Sequence, residues 1–314
     1  MRLSAAVCVA MSVVSAAASA QNYPARPIRM LVGEVGGSSD VPARLIAQGI
    51  ADPLGKPVIV ENRPSNLIGE LAARATPDGY TLIGSGNLLW LEPLIKRTGY
   101  DMDKDFAPIT LVTATPQVVV VHPSVPAKSV SELIAYAKAN PGKLNYASGP
   151  TGAPSHLAPE LFNSMAGINI VRVNYRGSGP GLAALIAGEA QMMVNNATAA
   201  MPHVKAGRIR ALAVTTARPS PLLPGLPTVA ESGLPGYETV NMFGILAPAK
   251  TPAAAIKLLN REIVTLLRTQ AVREKLENLG AEVGATSPQE FGAQIRSETG
   301  RMHKMIKATG ISAD

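Results

Sequence analysis

Short β-branched runs alternate with amphipathic helical segments along most of this 314-residue chain. A strand, a helix and a further strand in that order are typical of a parallel sheet covered by helices, so this alternation constrains the fold more than any other feature. The predicted strands are Ile28–Val32, Val58–Glu61, Tyr80–Gly84, Gln117–His122, Leu144–Ala147, Ile170–Asn174, Gln191–Val194 and Arg210–Thr215. The pattern predicts an α/β protein.

Two of the predicted strands run into glycine turns that open a helix. The first unit is Ile28–Asp40, with the sequence IRMLVGEVGGSSD, and the second is Leu144–Glu160, with the sequence LNYASGPTGAPSHLAPE. Glycine allows a tight turn, and the free N–H groups of a helix's first turn favour an anion, aided by the helix dipole. Two such turns facing each other would hold a small anion. We therefore interpret the chain as a two-lobed binding protein.

The runs Gln117–Val121 and Phe243–Ala247 are the best candidates for chain crossings between two lobes. Each joins one well-patterned block to another, and each is followed by a proline. Lobe 1 would then comprise residues 21–116 and 245–314, and lobe 2 would comprise residues 117–244, including hinge strands. A hinge of two strands would allow closure around a ligand.

The first twenty residues have the pattern of a secretory signal peptide. Arg2 is followed by an apolar stretch over Ala5–Val14, and Ala18-Ser19-Ala20 fits a cleavage site before Gln21. The apolar stretch is too short to span a membrane. Because the sole cysteine, Cys8, lies inside this segment, the mature chain would have no disulfide. The segment predicts a periplasmic protein.

The net charge of +7 does not indicate a nucleic-acid-binding protein. Lysine and arginine are scattered along the chain, which has only four phenylalanines and one tryptophan. A mildly basic balance attracts soluble anions weakly. We expect no nucleic-acid partner, and we expect the protein to act as a monomer.

Metal-binding patterns are weak in this sequence. No two histidines have the i, i+4 spacing of a zinc helix. Asp101, Asp103 and Asp105 resemble the first half of a calcium loop, but Phe106 replaces the required glycine and Val112 replaces the closing glutamate. We predict no metal site.

Catalytic and cofactor motifs are equally weak. The chain has no G-x-S-x-G elbow and no phosphate-binding P-loop, and the glycines of residues 177–181 lack the last position of a dinucleotide fingerprint. A hydrolase that uses Ser148 or Ser155 with His156 is left open by spacing alone, although no orienting third group is evident. We therefore predict no cofactor and a protein that is not an enzyme.

Neutral hydrogen-bonding residues cluster at the carboxyl ends of the predicted strands, where ligands of open α/β sheets bind. Any one of them could simply make a turn or cap a helix, and Asp40 could cap its own helix. Their joint placement predicts a ligand site. The candidates reached in this way are Gly36, Gly37, Ser38, Ser39, Ser85, Asn87, Thr151, Gly152, Ser155, His156, Tyr175 and Asn195.

Ordered motifs over nearly the whole mature chain resemble the Bug-type extracytoplasmic solute receptors of tripartite tricarboxylate transporters. They include GGSSDVPARLIAQ, PVIVENRP, NYRGSGPGLAALIAGEAQMM, HVKAGRIRALAVTT and LPTVAESGLPGYE. The resemblance implies a two-lobed type II periplasmic-binding-protein fold, with a mostly parallel sheet in each lobe, that closes on a small organic acid and delivers it to a membrane permease. It also implies first-lobe contacts from Gly36–Asp40 and second-lobe contacts from Thr151, Gly152, Ser155, His156 and Tyr175.

The chain departs from that family at the expected site. The loop GEVGG is shorter than usual and puts Glu34 near the place of an aromatic residue, while Asn195 stands where an aspartate is common. A buried glutamate would repel a carboxylate unless it were protonated or turned toward solvent. We therefore add Glu34 to the candidate site. We expect a ligand that differs from the family's usual acids: a monocarboxylate, an aromatic acid or a ligand with an amine near Glu34.

A ligand sensor that docks on a signalling protein would show the same sequence features as a transport receptor. A sensor kinase gene or permease genes beside the coding sequence would distinguish the two. Turnover of chromogenic esters would instead indicate a hydrolase.

Overall fold

The computed structural model describes residues 23–35 and 39–312. The predicted signal peptide and three candidate site residues, Gly36, Gly37 and Ser38, lie outside the described residues. The strands are β1 (Ile28–Val32), β2 (Val58–Asn62), β3 (Thr81–Gly86), β4 (Phe106–Val121), β5 (Asn145–Ser148), β6 (Val171–Asn174), β7 (Met192–Asn196), β8 (Arg210–Val214), β9 (Val240–Pro248) and β10 (Glu282–Val283).

Helices follow most of these strands, as the alternating pattern predicts. They are α1 (Asp40–Leu54), α2 (Ser65–Ala73), α3 (Leu88–Leu91), α4 (Met102–Asp105), α5 (Val130–Ala139), α6 (Pro154–Ala166), α7 (Ser178–Ala187), α8 (Ala197–Lys205), α9 (Ala253–Leu267), α10 (Gln270–Asn278) and α11 (Pro288–Thr309). A single 3₁₀ turn, Glu92–Leu94, follows α3. The predicted α/β class is confirmed.

The strands form one mixed sheet in the order β2-β1-β3-β9-β4-β7-β5-β6, with β8 and β10 also paired to β4. Strands β1, β2 and β3 run parallel to one another, as do β5, β6 and β7. The partners of β4 all run antiparallel to it. Two parallel groups of strands therefore flank an antiparallel centre.

Strand β4 is the element that joins these groups. Its first part, Phe106–Pro116, pairs with β9 and contains the residues that pair with β10. Its second part, Gln117–Val121, pairs with β7, and residues of that part also pair with β8. We call the β1–β3, β9 and β10 side the first half of the molecule and the β5–β8 side the second half.

The first part of β4 is missing from the sequence-based prediction. Proline cannot donate a ladder hydrogen bond, so Pro108 and Pro116 argue against a strand. The structure accommodates this part of β4 with register shifts between Pro108 and Thr110 and between Leu111 and Thr113. These irregularities hide the strand pattern in the sequence.

The strand pairing bears on the predicted division into lobes, which stays a prediction. The change of partners after Pro116 supports a boundary at that point. Strand β9 pairs with β3 and the first part of β4, so the chain returns to the first half before Val240. The strand pairing thus favours a second boundary near Thr239.

Helix α11 connects the two halves through their cores. It begins at a capping box, in which the Ser287 hydroxyl accepts from the Glu290 amide and the Glu290 carboxylate accepts from the Ser287 amide. It packs against both β4 and α6. Its Phe291 belongs to a hydrophobic cluster that contains Trp90 of the first half and Phe162 of the second. Within the described residues, we find no helix with the length and apolar character needed to cross a membrane.

Replacing Gly244 with alanine tests the tight packing of β9 against α11. An added Cβ would lie 2.2 Å from the Phe291 ring and 2.9 Å from the Thr110 carbonyl oxygen. We expect Gly244→Ala to lower the free energy of unfolding by about 1–3 kcal/mol. Gly300→Ala is the matched control because its Cβ meets open space in the helix, and we expect a gain of about 0.5–1 kcal/mol. Urea denaturation measures both, and equal stability of the two variants would contradict this packing.

Candidate functional site

A cleft of about 230 Å³ lies on one face of the β4–β9 pair. Thr113, Thr115 and Asn241 of that pair form part of its wall, and Pro154, the first residue of α6, lines it from the second half. The remaining polar lining comes from the first half and consists of Ser39, Ser65, Ser85 and Asn87. No charged side chain belongs to the described lining. The cleft is therefore a neutral site whose polar side chains are hydroxyls and amides, set among apolar residues.

Strand ends place these groups together. Gly33 follows β1, and Ser85 lies near the end of β3, its parallel neighbour. A Cβ added to Gly33 would lie 2.7 Å from the Ser65 hydroxyl oxygen and 3.1 Å from that of Ser39. The two hydroxyls thus converge on one glycine. Sequence reasoning missed Ser65, which the rule of polar residues after strands would have found after β2.

Glu34 lies at the edge of this cluster with an exposed side chain bound to Ser65. Its two carboxylate oxygens accept from the Ser65 amide at 2.9 Å and from the Ser65 hydroxyl at 2.5 Å. These hydrogen bonds lower the pKa of Glu34, the hydroxyl having the larger effect. The carboxylate is therefore ionised at neutral pH, and it caps the first residue of α2.

Asp40, another predicted contact, is held within the first half. Its carboxylate accepts from the Asn62 side-chain amide at 2.9 Å and from Arg44 Nε at 3.1 Å. The side chain is buried. Both partners bind the carboxylate at the first residue of α1. This arrangement is consistent with Asp40 stabilising the start of that helix.

The second predicted glycine turn lies between β5 and α6, next to the cleft residue Pro154. Several of the turn's backbone N–H groups already donate hydrogen bonds within the turn. The Gly149 amide donates to the Ser155 hydroxyl oxygen at 3.0 Å, and the Gly152 amide donates to His156 Nδ1 at 3.1 Å. Ser155 and His156 thus bond to the turn and do not form a nucleophile–base pair with each other.

His156 is held in its neutral form. Burial is the main cause that lowers the pKa of its imidazole, and the nearby charge of Arg172 lowers it further, to about 4. Because Nδ1 accepts from Gly152, the ring's proton is on Nε2 at neutral pH. In this form Nε2–H is the ring's one N–H donor, and the ring carries no full charge.

Tyr175 and Asn195 occupy other strand ends of the second half. The Tyr175 amide donates to the Ser148 carbonyl at 2.8 Å, and its side chain is half-buried. Asn195 is buried in β7, where its Oδ1 accepts from the Asn196 amide at 2.8 Å. Its Nδ2 has no hydrogen-bond partner among the described residues. A buried amide nitrogen in this state is an available donor.

Asn87 links the cleft to a buried carboxylate. Its Oδ1 accepts from the Met242 amide at 2.7 Å, and its Nδ2 donates to the Val240 carbonyl at 2.9 Å and to Glu298 at 2.5 Å. The other Glu298 oxygen accepts from the Trp90 indole at 2.5 Å. Burial raises the pKa of Glu298 to about 7, although these donors and Arg301 oppose the rise. Sequence reasoning did not identify Glu298.

The described residues contain no group of histidine, cysteine, aspartate or glutamate side chains arranged to hold a metal ion.

The fold and the neutral cleft between its halves define the class of the protein: a two-lobed solute-binding protein of the periplasmic type. Comparison with known sequences narrows this class. A family model described as tripartite tricarboxylate transporter family receptor (TctC) matches residues 42–311, and the chain belongs to this family. Its members are solute-binding receptors and not enzymes.

Individual relatives support this assignment. The chain is 35% identical over 309 residues to the protein BugT of Bordetella pertussis, covering 96% of this chain and 95% of BugT. It is similar to the solved structure of R. palustris Rpa4515 with adipate, at 36% identity and a TM-score of 0.75, covering 92% of this chain and 99% of that one. MatC from Rhodopseudomonas palustris with bound malate is 29% identical, with a TM-score of 0.73, covering 90% and 100%.

The buried carboxyl of Glu298 generates a prediction about pH. Because its folded pKa of about 7 exceeds its ordinary value of 4.5, the folded state keeps this proton longer than the unfolded state. The stability it contributes is present below pH 4.5 and is lost as the pH rises to about 7, by up to about 1.4 kcal/mol per pH unit. We expect Glu298→Gln to remove this dependence.

The measurement is urea unfolding of both proteins between pH 4.5 and 8. His156 has the opposite slope because its folded pKa is lowered, so the informative quantity is the difference between wild type and variant at each pH. A difference that does not change with pH would show that Glu298 is ionised in the fold throughout.

Proposed function

We propose that this protein is a periplasmic receptor that closes over a small organic acid and delivers it to a tripartite tricarboxylate-type membrane permease. The observation that carries the proposal is the neutral cleft on the β4–β9 pair, lined from both halves of the molecule. Export to the periplasm would depend on the predicted signal peptide.

The chemistry of the lining supports a carboxylate ligand. Hydroxyl and amide groups on strand ends can donate hydrogen bonds to a carboxylate, and their short side chains lose little conformational entropy on binding. The volume of about 230 Å³ is below the range of about 300–1,000 Å³ that is common for drug-sized ligands, so a small metabolite fits better. Relatives crystallised with adipate and malate are consistent with this class of ligand.

The connection between the halves supports closure. Strand β4 continues from one half into the other, and the return to the first half comes immediately before β9. Two adjacent crossings of this kind allow rotation of one half toward the other. Closure would bring the Thr151–His156 turn toward Ser39 and Ser85. In this proposal the candidate residues of the two glycine turns hold the ligand together.

Glu34 supports a ligand that differs from a symmetric dicarboxylate. Its carboxylate is bound to Ser65, a residue of the cleft lining, and its lowered pKa keeps it charged. Glu34 is exposed and solvent screens its charge, but its carboxylate is held on Ser65, so a second ligand carboxylate bound at Ser65 would still be repelled by it. We therefore propose a monocarboxylate, an aromatic acid or an acid that bears an amine at the end near Glu34.

A thermal-shift screen of mono-, di- and tricarboxylates tests the proposed ligand class. An acid at one hundred times its Kd should stabilise the folded state by about 2.7 kcal/mol and raise the Tm by about 5 °C. Ser85→Ala should weaken binding of that acid about three- to tenfold in calorimetry because it removes one cleft hydroxyl. Ser164→Ala, at an exposed position on α6, is the control. No Tm increase with any acid would contradict the proposal.

Glu34→Gln tests whether this carboxylate sets the ligand class. Removing a unit charge several Å from the ligand should increase affinity for dicarboxylates about fivefold relative to monocarboxylates. Glu132→Gln is the control because it removes a carboxylate in the first turn of α5, outside the cleft lining. It should leave the ratio of dicarboxylate to monocarboxylate affinity unchanged. Calorimetry with both ligand types gives the ratio. An unchanged ratio in Glu34→Gln would show that Glu34 does not select the ligand.

A further inference from the structure

Arg172, which the sequence analysis did not consider, binds the second glycine turn through its guanidinium. Nε donates to the Ser148 hydroxyl at 2.8 Å, Nη1 to the Thr151 hydroxyl at 3.1 Å, and Nη2 to the Gly149 carbonyl at 3.0 Å. One side chain thus fixes three positions of the turn between β5 and α6.

Strand register explains how Arg172 reaches this turn. Residues of β5 and β6 pair in parallel, with Tyr146 opposite Arg172 and Ser148 opposite Asn174. Alternate residues of a strand share a face, so Tyr146, Ser148 and Arg172 lie on the same side of the sheet. The long side chain of Arg172 therefore extends along that face to the strand end, where the turn begins.

The hydrogen-bond directions leave the Thr151 hydroxyl as a donor. A guanidinium has no acceptor, so the Thr151 oxygen must accept from Nη1, and its own hydrogen is directed elsewhere. The Ser148 hydroxyl also accepts from Arg172, but it donates its hydrogen to the Gly149 carbonyl at 3.1 Å. The amides of Gly149 and Gly152 are used within the turn. Of these four groups, only Thr151 keeps a donor for a ligand.

The charge of Arg172 is not balanced by an ion pair among the described residues. Its hydrogen-bond partners are neutral oxygens of hydroxyl, carbonyl and amide groups. The neighbouring imidazole of His156 is neutral at pH 7. The nearby carboxylate of Glu160 accepts from the Tyr146 hydroxyl and does not pair with Arg172. The guanidinium therefore brings a positive charge to the turn that adds to the effect of the first turn of α6.

We propose that Arg172 is the positioning residue that makes the second lobe select a carboxylate, by orienting the Thr151 hydroxyl toward it and by supplying positive charge behind it. This inference rests on the proposed function. It also assigns an orientation to the ligand. The carboxylate lies at the Thr151 turn of the second half, and the neutral or cationic end lies toward Glu34 of the first half.

A series of six-carbon probes tests this proposal: adipate, hexanoate, 6-aminohexanoate and hexanamide. Calorimetry is carried out on the mature protein and on Arg172→Gln, Arg172→Lys, Thr151→Val and Thr151→Ser. We expect Arg172→Gln and Thr151→Val each to weaken carboxylate binding at least tenfold. Arg172→Lys should be intermediate because it keeps the charge without the planar fork, and Thr151→Ser should bind nearly as wild type does. Affinity for hexanamide should change little in Arg172→Gln.

The double variant Arg172→Gln/Thr151→Val separates positioning from general damage to the fold. If Arg172 acts through Thr151, the double variant loses much less affinity than the product of the two single losses. The loss in Arg172→Gln should also shrink as salt increases, because part of it is electrostatic. Fully multiplicative losses, or equal losses for hexanoate and hexanamide, would overturn the proposal.

The outcomes distinguish this inference from the proposed function. Binding of the acids by wild type together with unchanged affinity in Arg172→Gln would overturn the role of Arg172 and leave the receptor function standing. Failure of wild type to bind any of the acids would overturn both. If Arg172→Gln does not fold, two other comparisons test the proposal. Carboxylate affinity should be much lower in Thr151→Val than in Thr151→Ser, and it should be lower in Arg172→Lys than in wild type. Equal affinities in both comparisons would overturn the role of Arg172.

Discussion

The pairing of β4 with β9 lies where the two halves of the molecule meet and holds them together. β4 is sixteen residues long and pairs with strands of both halves, so its hydrogen-bond ladder sets how the halves approach each other. Successive residues of a strand face opposite sides of the sheet. Thr113, Thr115 and Asn241 face the cleft, whereas Ala114 and Val240 line a second depression with Glu298. A movement of this pair therefore changes both sides at once.

Asn87 lines the cleft, but its side chain is already hydrogen-bonded to β9 and α11. Its side-chain amide bonds to the Val240 carbonyl, the Met242 amide and Glu298. Both of its donor hydrogens and its acceptor are thus engaged in holding β9 and α11. Asn87 lines the site and at the same time supports the strand beside it. Ser39 and Ser85, with shorter side chains and fewer internal bonds, are better suited to contact a ligand.

The sequence predicted the elements well wherever hydrophobic periodicity was undisturbed. The strands of both parallel groups were found because their β-branched runs are bounded by clear turns. The first part of β4 was not, since Pro108 and Pro116 break the pattern and its register shifts are set by tertiary pairing. The polar ends of strands directed attention to Ser39 and Ser85, which line the cleft, and their contact with a ligand stays a prediction.

Contacts that depend on the register of strand pairing could not be predicted from the sequence. Arg172 is one of many arginines until the pairing of β5 with β6 places it on the face of Ser148. Glu298 did leave a signal. It shares a helical face with the buried residues Ile295 and Met302, three positions before it and four after it, and a charged residue there needs a partner. The location of Glu34 required the structure, because its partner Ser65 lies thirty-one residues away.

Spin-label distances test whether the two halves close on a carboxylate held between them. Leu67 on α2 is exposed, and a side chain added at Gly179 on α7 meets open space, so cysteines at these positions can carry labels on opposite halves. We expect a saturating acid from the screen to shorten and narrow this distance distribution, while the distance of a control pair at Leu67 and Leu279 within the first half does not change. An unchanged distance between the halves in the presence of a bound acid would contradict this closure.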